Sequence, residues 1–401
     1  MKITVGVLFG GRSVENEISV VTASQVMESM DGHKYAVVPR YIAKSGLWYT
    51  GAALLELDAY RDMPSLLRRC TEVYFKSIYG DHNLYSNSGL FGTQKVVAKL
   101  DTILPTLHGT NCEDGTLQGV LSVVGIPYVG CNTFASANGM DKISMKQILR
   151  SSGISVVDFH WFTDKEWDEN REEVLRSVEK SLTYPVIVKP ANSGSSVGIS
   201  PAHNREELAD AIDNAAQFTT RIIVERMLSK LKEVNCSVMG DYYHCEPSVC
   251  EVPLRSGEIL SYSDKYQGGG KGAGKLGGGK FGGKLGGKLG GGKLGGGVKF
   301  CGAKGEQGMA SLKRELPAKL PDNVTALVKD YAVKTFKTLG CEGLARIDLM
   351  IDEEDGRIYV NEINTIPGSL SSYLWDYTGV PFKEVLDRLI ERSFERAREE
   401  S

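Results

Sequence analysis

The sequence predicts an α/β protein of more than one domain, on three observations. Its 401 residues are too many for one small module and enough for two or three α/β domains. Short apolar runs of strand length alternate with longer stretches of helical period. The chain also opens on a strand, a glycine turn and a helix. That is the first unit of a doubly wound sheet, where ligands gather beyond the strand ends.

Residues 3–9 read as a buried strand, followed by the Gly10-Gly11 turn and a helix over 17–30 with Ile18, Val21 and Val26 on one face. The turn is not a G-x-G-x-x-G fingerprint, so no dinucleotide is implied. Strands over 36–42 and 102–107 lead to a turn-rich segment, 108–115, and a helix over 116–124. Pro127-Tyr128-Val129-Gly130 is expected to close a first domain at 1–131. Residues 48–98 suggest no chemistry, but Leu55, Leu57, Leu66, Leu67 and Val73 predict packing rather than a linker. A single helix over 135–151 carries Lys142 and Lys146. The strand 184–190 delivers Lys189 to a loop of small residues, 191–198. A helix over 206–216 and a strand over 222–225 complete a second domain, 132–225. The third, 226–401, has a helix over 323–339, strands over 344–351 and 358–364, a Pro367-Gly368 turn and an amphipathic helix over 382–398.

Composition excludes several classes. With 41% hydrophobic and 24% charged residues, the chain is neither fibrous nor wholly disordered. No apolar run approaches the roughly 20 residues that span a bilayer, and the first residues lack a signal-peptide pattern. The eight cysteines form no C-x-x-C pair, which argues against zinc and for reduced thiols in a cytoplasmic protein. Of 46 glycines, 20 fall between Gly268 and Gly305, with eight lysines and no acid. The net charge of −3 therefore divides into +8 there and −11 elsewhere, unlike the folded basic face of a nucleic-acid-binding domain. Glycine costs about 1 kcal/mol per helical position relative to alanine. The tract, about 267–305, is thus read as an expanded loop with solvated lysines. The sharper reading is that some of those lysines reach an anionic substrate.

Two constellations suggest chemistry. In strands, side chains alternate, so Arg346 and Asp348 share a face, as do Glu362 and Asn364. If the strands are neighbours, two carboxylates and an amide oxygen converge, an all-oxygen set suited to Mg²⁺ with substrate phosphates. The plainer alternative is an ordinary half-buried sheet. The loop Ala191–Gly198 follows Lys189, and its small residues would let backbone N–H groups approach an anion. It is not a Walker A motif, because every Gly-Lys here is followed by Gly, Leu or Phe.

The order of these and further words carries a resemblance: Leu8-Phe9-Gly10-Gly11-Arg12-Ser13-Val14-Glu15, His108-Gly109 with Glu113-Asp114-Gly115, Met140-Asp141-Lys142, and Val188-Lys189-Pro190 with Gly194-Ser195-Ser196-Val197-Gly198. Lys265-Tyr266, Arg346-Ile347-Asp348 and Asn361-Glu362-Ile363-Asn364-Thr365 with Pro367-Gly368 then follow. Over nearly its whole length the chain resembles the D-alanine–D-alanine ligases of the ATP-grasp superfamily. The resemblance implies an α/β, three-domain ATP-grasp fold with an N-terminal Rossmann-like (pre-ATP-grasp) domain, and ATP held between the central and C-terminal domains. It places Lys142, Lys189, Ser196 and Lys265 on ATP phosphates, Glu233 on the ribose, and Glu225 at the head of the adenine-lining segment. Asp348, Glu362 and Asn364 would bind two Mg²⁺ ions, with Glu362 bridging and Mn²⁺ as a substitute. Arg346 and the Gly368 N–H would hold the tetrahedral oxyanion. Glu15 would hold the first D-alanine's ammonium beside Ser195 and Tyr266. His108, Ser371, Ser372, Tyr373 and Leu374 would border substrate.

The implied activity joins two D-alanines through an acyl phosphate at the expense of ATP, for peptidoglycan precursors, in a cytoplasmic homodimer with no nucleic-acid or membrane partner. An ATP-grasp ligase joining a different carboxylate and amine, for example D-alanine with another D-amino or hydroxy acid, is the alternative. It arises because Tyr373 stands where the family has a serine beside the second substrate's carboxylate, whereas Tyr266 is the residue associated with D-alanine rather than D-lactate. Asn16 after Glu15, the Glu225-to-Glu233 spacing (one residue long) and the Gly/Lys tract are further departures. A non-catalytic anion binder would have no use for Asp348, Glu362, Asn364, Lys189 and Arg346 together.

Overall fold

The computed structural model describes residues 2–87, 93–194, 197–254 and 314–400. Ser195, Ser196, Lys265, Tyr266 and the Gly/Lys tract lie outside the described residues.

The opening unit forms as its pattern predicts. Strand β1 (Ile3–Gly10) buries Val5, Val7 and Phe9 completely and runs into helix α1 (Asn16–Ser29). The sheet is completed by β2 (Tyr35–Ile42), β3 (Trp48–Thr50), β4 (Thr71–Val73) and a later strand, β7 (Thr102–Pro105). Its order is β4-β3-β2-β1-β7, with β1 parallel to both β2 and β7. A short helix, α2 (Met63–Arg68), and a hairpin of β5 (Asn83–Ser86) with β6 (Lys95–Lys99) occupy the region predicted to pack. Leu66 and Val73 are buried there as expected, but Leu55 and Leu57 are exposed. The 3₁₀ turns over 52–61 rotate Leu54 and Tyr60 toward the core instead.

Helix α3 (Thr116–Val124) follows, and then a correction. The single helix expected over 135–151 is two: α4 (Thr133–Met140) and α5 (Lys142–Ser151). Asp141 separates them in an extended conformation, and its carboxylate caps α5 by accepting from the Ser144 N–H at 2.8 Å. A short acid that caps locally ends one helix and starts the next.

The second sheet comprises β8 (Phe159–Thr163), β9 (Val186–Pro190), β10 (Ser200–Ala202) and β11 (Arg221–Arg226), antiparallel in the order β10-β9-β11-β8. Helices α6 (Asp164–Glu169), α7 (Arg171–Ser181) and α8 (Arg205–Ala215) accompany it. The third sheet has the order β14-β13-β12-β15-β16, also antiparallel: β12 (Leu231–Gly240), β13 (Cys245–Pro253), β14 (Arg314–Glu315), β15 (Gly343–Asp352) and β16 (Ile358–Asn364). Helix α9 (Asp322–Thr338) buries Val328, Ala332 and Phe336 against it. Helix α10 (Ser372–Thr378) leads to α11 (Phe382–Glu399), whose Val385, Leu386, Leu389 and Ile390 join the core of the first sheet. The end of the chain thus packs on its beginning. Among the described residues, no helix is long and apolar enough to cross a membrane.

Candidate active site

The acidic wall is built by two adjacent strands. β15 and β16 pair antiparallel with Arg346 opposite Asn364 and Asp348 opposite Glu362. A register shift follows at Asp348/Leu349, so Asn361 is the extra residue beside Glu362. Arg346 donates to both oxygens of Asp348, from Nε at 2.6 Å and Nη2 at 2.7 Å, and Asn364 Nδ2 donates to Asp348 Oδ2 at 3.1 Å. Burial works against the Arg346 charge, but Asp348 outweighs it and raises the guanidinium's pKa further. On the other side, β12 places Asn235 opposite Asp348 and Glu233 opposite Met350, so Glu233 lies on the same face.

The basic wall comes from two elements of the central region. Lys142, the first residue of α5, donates to the Ser193 carbonyl at 2.9 Å and stands 4.0 Å from Glu362 Oε2. Lys189, near the end of β9, donates to Glu225 Oε2 at 2.9 Å and reaches Asn361 Oδ1 at 3.4 Å. Burial opposes the Glu225 charge, yet Lys146, Lys189 and Lys142 hold its carboxylate below the ordinary range. The structure therefore places Glu225 on the lysines.

The first sheet closes the third side. Glu15 is buried at the N-terminus of α1, and the backbones of Gly109 and Gly194 pack against it. A methyl group at Gly109 would stand 2.5 Å from Glu15 Oε2, and one at Gly194 3.1 Å away. Asn16 braces the glycine turn: Nδ2 donates to the Gly11 carbonyl at 2.7 Å, and Oδ1 accepts from Tyr41. His108 Nδ1 meets the Ile366 carbonyl at 2.8 Å, which fixes the proton there and leaves Nε2 to accept from the Thr22 hydroxyl at 3.0 Å. Burial lowers the His108 pKa and keeps the ring neutral. The Thr22 oxygen accepts in turn from the Ser369 N–H.

Sequence reasoning assigns Glu113 no role, although its motif is visible there. Its carboxylate spans two regions, accepting from the Gly109 N–H at 2.9 Å and the Ile366 N–H at 3.0 Å. Burial and the neighbouring Glu15 push its pKa up to about 8 against those two donors.

The turn after Pro367-Gly368 is strained. Ser369, Leu370 and Ser371 have φ of 53°, 47° and 50° in succession, left-handed backbone that costs non-glycine residues roughly 1–2 kcal/mol each. Ser371 is fully buried, and its hydroxyl has no hydrogen-bond partner among the described residues. Ser372 opens α10. Tyr373 donates to Glu251 Oε1 at 2.8 Å, with the Arg314 guanidinium 4.0 Å from its ring centroid. Leu374 is buried and packs with Tyr373, Val249 and Leu316.

Three sheets thus bring Glu15, His108, Lys142, Lys189, Arg346, Asp348, Glu362, Asn364 and the Gly368 turn to one cleft. Comparison with known proteins agrees with this layout. The D-ala D-ala ligase N-terminus family matches residues 4–131, and the D-ala D-ala ligase C-terminus family matches 148–275 and 303–391. The chain belongs to the D-alanine–D-alanine ligase family. A D-alanine–D-alanine ligase of Thermosipho melanesiensis is 36% identical over 98% of this chain and 94% of that protein. One from Acetivibrio thermocellus is 33% identical over 97% and 95%. Among solved structures, the D-alanine–D-alanine ligase of Coxiella burnetii superposes with a TM-score of 0.76 at 25% identity, covering 100% of this chain and 96% of that one. VanG D-Ala:D-Ser ligase of Enterococcus faecalis also gives 0.76, at 28% identity and 98% and 100% coverage. The ligase has the ATP-grasp fold expected from its sequence, and it is an ATP-dependent enzyme joining D-alanines for cell-wall precursors.

Among residues that matter to this ligase's cleft, Lys146, Glu113, Asn361 and Glu251 are given no role by the sequence, although the first three stand in the helix and motifs named there. Lys146 has a signal there: four residues after Lys142 on a helix, it shares that residue's face.

Proposed function

We propose that the ligase works by charge placement across this cleft, with the basic wall on the ATP triphosphate and the acidic wall on the cations that accompany it. The observation that carries the reading is their closeness: Lys142 Nζ is 4.0 Å from Glu362 Oε2, and Lys189 Nζ is 3.4 Å from Asn361 Oδ1.

A carboxylate resists amine attack because oxide would have to leave. One D-alanine carboxylate oxygen bonds to the γ-phosphorus, ADP departs, and an acyl phosphate results. The second D-alanine's neutral amine then bonds to that carbonyl carbon. The C–O bond breaks with its electron pair going to phosphate, and the proton shed by the nitrogen leaves on that phosphate. Lys142, Lys189, Lys265 and Ser196 hold phosphates and Glu233 the ribose, while Glu225 orients lysine. Glu15 holds the first ammonium, with Ser195 and Tyr266 beside it. Arg346 and the Gly368 N–H stabilise the oxyanion. Ser371 and Ser372 border the acceptor. Tyr373, drawn onto Glu251, serves as wall, and His108 and Glu113 hold the Ile366–Ser369 turn. With the phenol engaged there, the reason for a different acceptor weakens.

The donor set fits Mg²⁺. Asp348, Glu362 and Asn364 offer oxygen to a hard cation, and because the Asn364 amide nitrogen donates to Asp348, its oxygen is the atom it presents. Among the described residues no three His, Cys, Asp or Glu cluster as a self-sufficient metal site, which suits ions that share their shell with phosphate. Two ions held by these three residues, with Glu362 common to both, would supply neutralisation of phosphate charge.

The domain boundaries 1–131, 132–225 and 226–401 are supported by each sheet falling within one range, give or take a residue. A homodimer is supported by apolar side chains exposed together: Val120 and Val123 on α3, with Phe134, Ile78 and Tyr79. Free thiols at the described cysteines suit a cytoplasmic enzyme.

The test is ADP release with Mg²⁺-ATP and D-alanine alone, or with added D-serine or D-lactate, with products identified by mass. Turnover to the dipeptide with D-alanine alone is expected. Turnover only with another acceptor would overturn the substrate assignment and keep the mechanism.

A further inference from the structure

Lys146 has no part in the mechanism above, yet its side chain is fully buried one turn after Lys142. Its ammonium lies 3.4 Å from Glu225 Oε1, at ion-pair distance though not aligned as a hydrogen bond. The other oxygen, Oε2, accepts from Lys189 at 2.9 Å. One carboxylate, itself 1% exposed, therefore stands between two ammonium groups on different elements. Burying a lysine is costly unless its charge is answered. Here burial pushes the Lys146 pKa down to about 8, against the pull of Glu225.

The charge count explains what the third member does. Glu225 and Lys189 alone would be a neutral buried pair, and so tight a pair would hold Lys189 back from another anion. With Lys146 on the opposite oxygen, the three groups together carry +1, and the carboxylate's attraction is divided. The same contact turns Oε2 toward Lys189. Asp141 fixes the helix that supplies Lys146: it caps α5 and accepts from Arg221 Nη1 at 2.7 Å on β11, the strand bearing Glu225.

We propose that Lys146 is a positioning residue for the nucleotide: through Glu225 it orients Lys189 and leaves that ammonium the positive charge that a nucleoside triphosphate recognises. The inference rests on the reading of Lys189 as a phosphate-binding residue.

Steady-state ADP release gives kcat and the two KM values for wild type, Lys189→Met, Lys146→Met and Lys146→Met/Glu225→Gln. Losing one charge-assisted contact is expected to raise the ATP KM about tenfold in Lys146→Met, with the D-alanine KM within about twofold of wild type. Removing the carboxylate as well restores +1 but takes away the group that orients Lys189, so the double variant recovers only part of what Lys146→Met loses in ATP KM. A packing role for Lys146 predicts no such rescue. A raised ATP KM in Lys189→Met beside an unchanged one in Lys146→Met overturns the inference alone. An unchanged value in Lys189→Met overturns the reading of Lys189 and the inference with it. If Lys146→Met does not fold, the double variant, which removes both Lys146 and the carboxylate that it answers, decides. An ATP KM well below that of Lys189→Met supports the proposal, and a rise matching Lys189→Met overturns it.

Discussion

The two walls of the cleft hold opposite charge and are built in opposite ways. The acidic wall, Arg346, Asp348, Glu362 and Asn364, spans 19 residues of sequence on two strands that pair directly. Arg346 answers charge inside that hairpin, bridging Asp348 bidentately two positions along the same strand. The basic wall, Lys142, Lys146, Lys189 and Glu225, draws on a helix and two strands, and Glu225 answers its lysines across them. A locally answered wall survives motion between its surroundings, whereas the basic wall exists only when α5, β9 and β11 are docked.

The comparison breaks most sharply at Arg346. Arg346→Met removes both the proposed oxyanion donor and the partner of a part-buried carboxylate. A fall in kcat on the order of 10²–10³ is expected, with thermal stability also reduced. A lysine ammonium is a point charge rather than a fork, so Arg346→Lys should recover only part of the loss. A kcat within about twofold of wild type would remove Arg346 from the chemistry.

Next in size is the metal dependence. Chelation of divalent ions should abolish ADP release and added Mg²⁺ restore it. Glu362→Gln should raise the Mg²⁺ concentration for half-maximal rate by at least about tenfold. An unchanged Mg²⁺ titration would separate Glu362 from the ions.

The Glu113 clamp sharpens the contrast, since it ties the first sheet to the turn that follows the acidic wall. Glu113→Gln keeps one acceptor oxygen and sets an N–H against the other backbone donor, so kcat/KM should fall by roughly tenfold or more. Its pH signature has a definite sign. The folded-state pKa is raised from its ordinary 4.5 to about 8, so the native protein holds an extra proton between those values. That contribution to stability is complete below about pH 4.5 and is lost as the pH rises toward 8. Chemical denaturation of wild type and Glu113→Gln across this window should show the wild-type slope flattened in the variant.

The smallest effect belongs to Tyr373→Phe. Losing the hydrogen bond to Glu251 should cost about 1–3 kcal/mol of stability, because the acceptor is a buried carboxylate. D-alanine should still be preferred over D-serine as acceptor. A switch in preference would show that the phenol touches substrate.

How much is legible from residues alone follows the same division. Strand alternation over 344–351 and 358–364 predicts both the acidic wall and its shared face, because neighbouring strands joined by a short turn have few ways to pair. The words around Glu15, Lys142 and Lys189 are equally visible as types. Three features are not. Asp141 reads as mid-helix, since a cap and a helical residue differ only in backbone conformation. Leu55 and Leu57 read as the packing that Leu54 and Tyr60 provide, because a 3₁₀ turn shifts the phase of a helical pattern. The left-handed run Ser369–Ser371 carries no glycine to announce it.

What the sequence alone determined was the class of chemistry: which donor and acceptor types occur, their order, and the strand faces on which the acids lie. Those depend on local periodicity, which acts over a few residues. Only the tertiary structure decided which charges answer one another. Lys146 beside Glu225, Glu113 on Ile366, and Tyr373 on Glu251 join residues 79 to 253 positions apart. Burial and charge, which have no period in sequence, select those partners once the sheets have met.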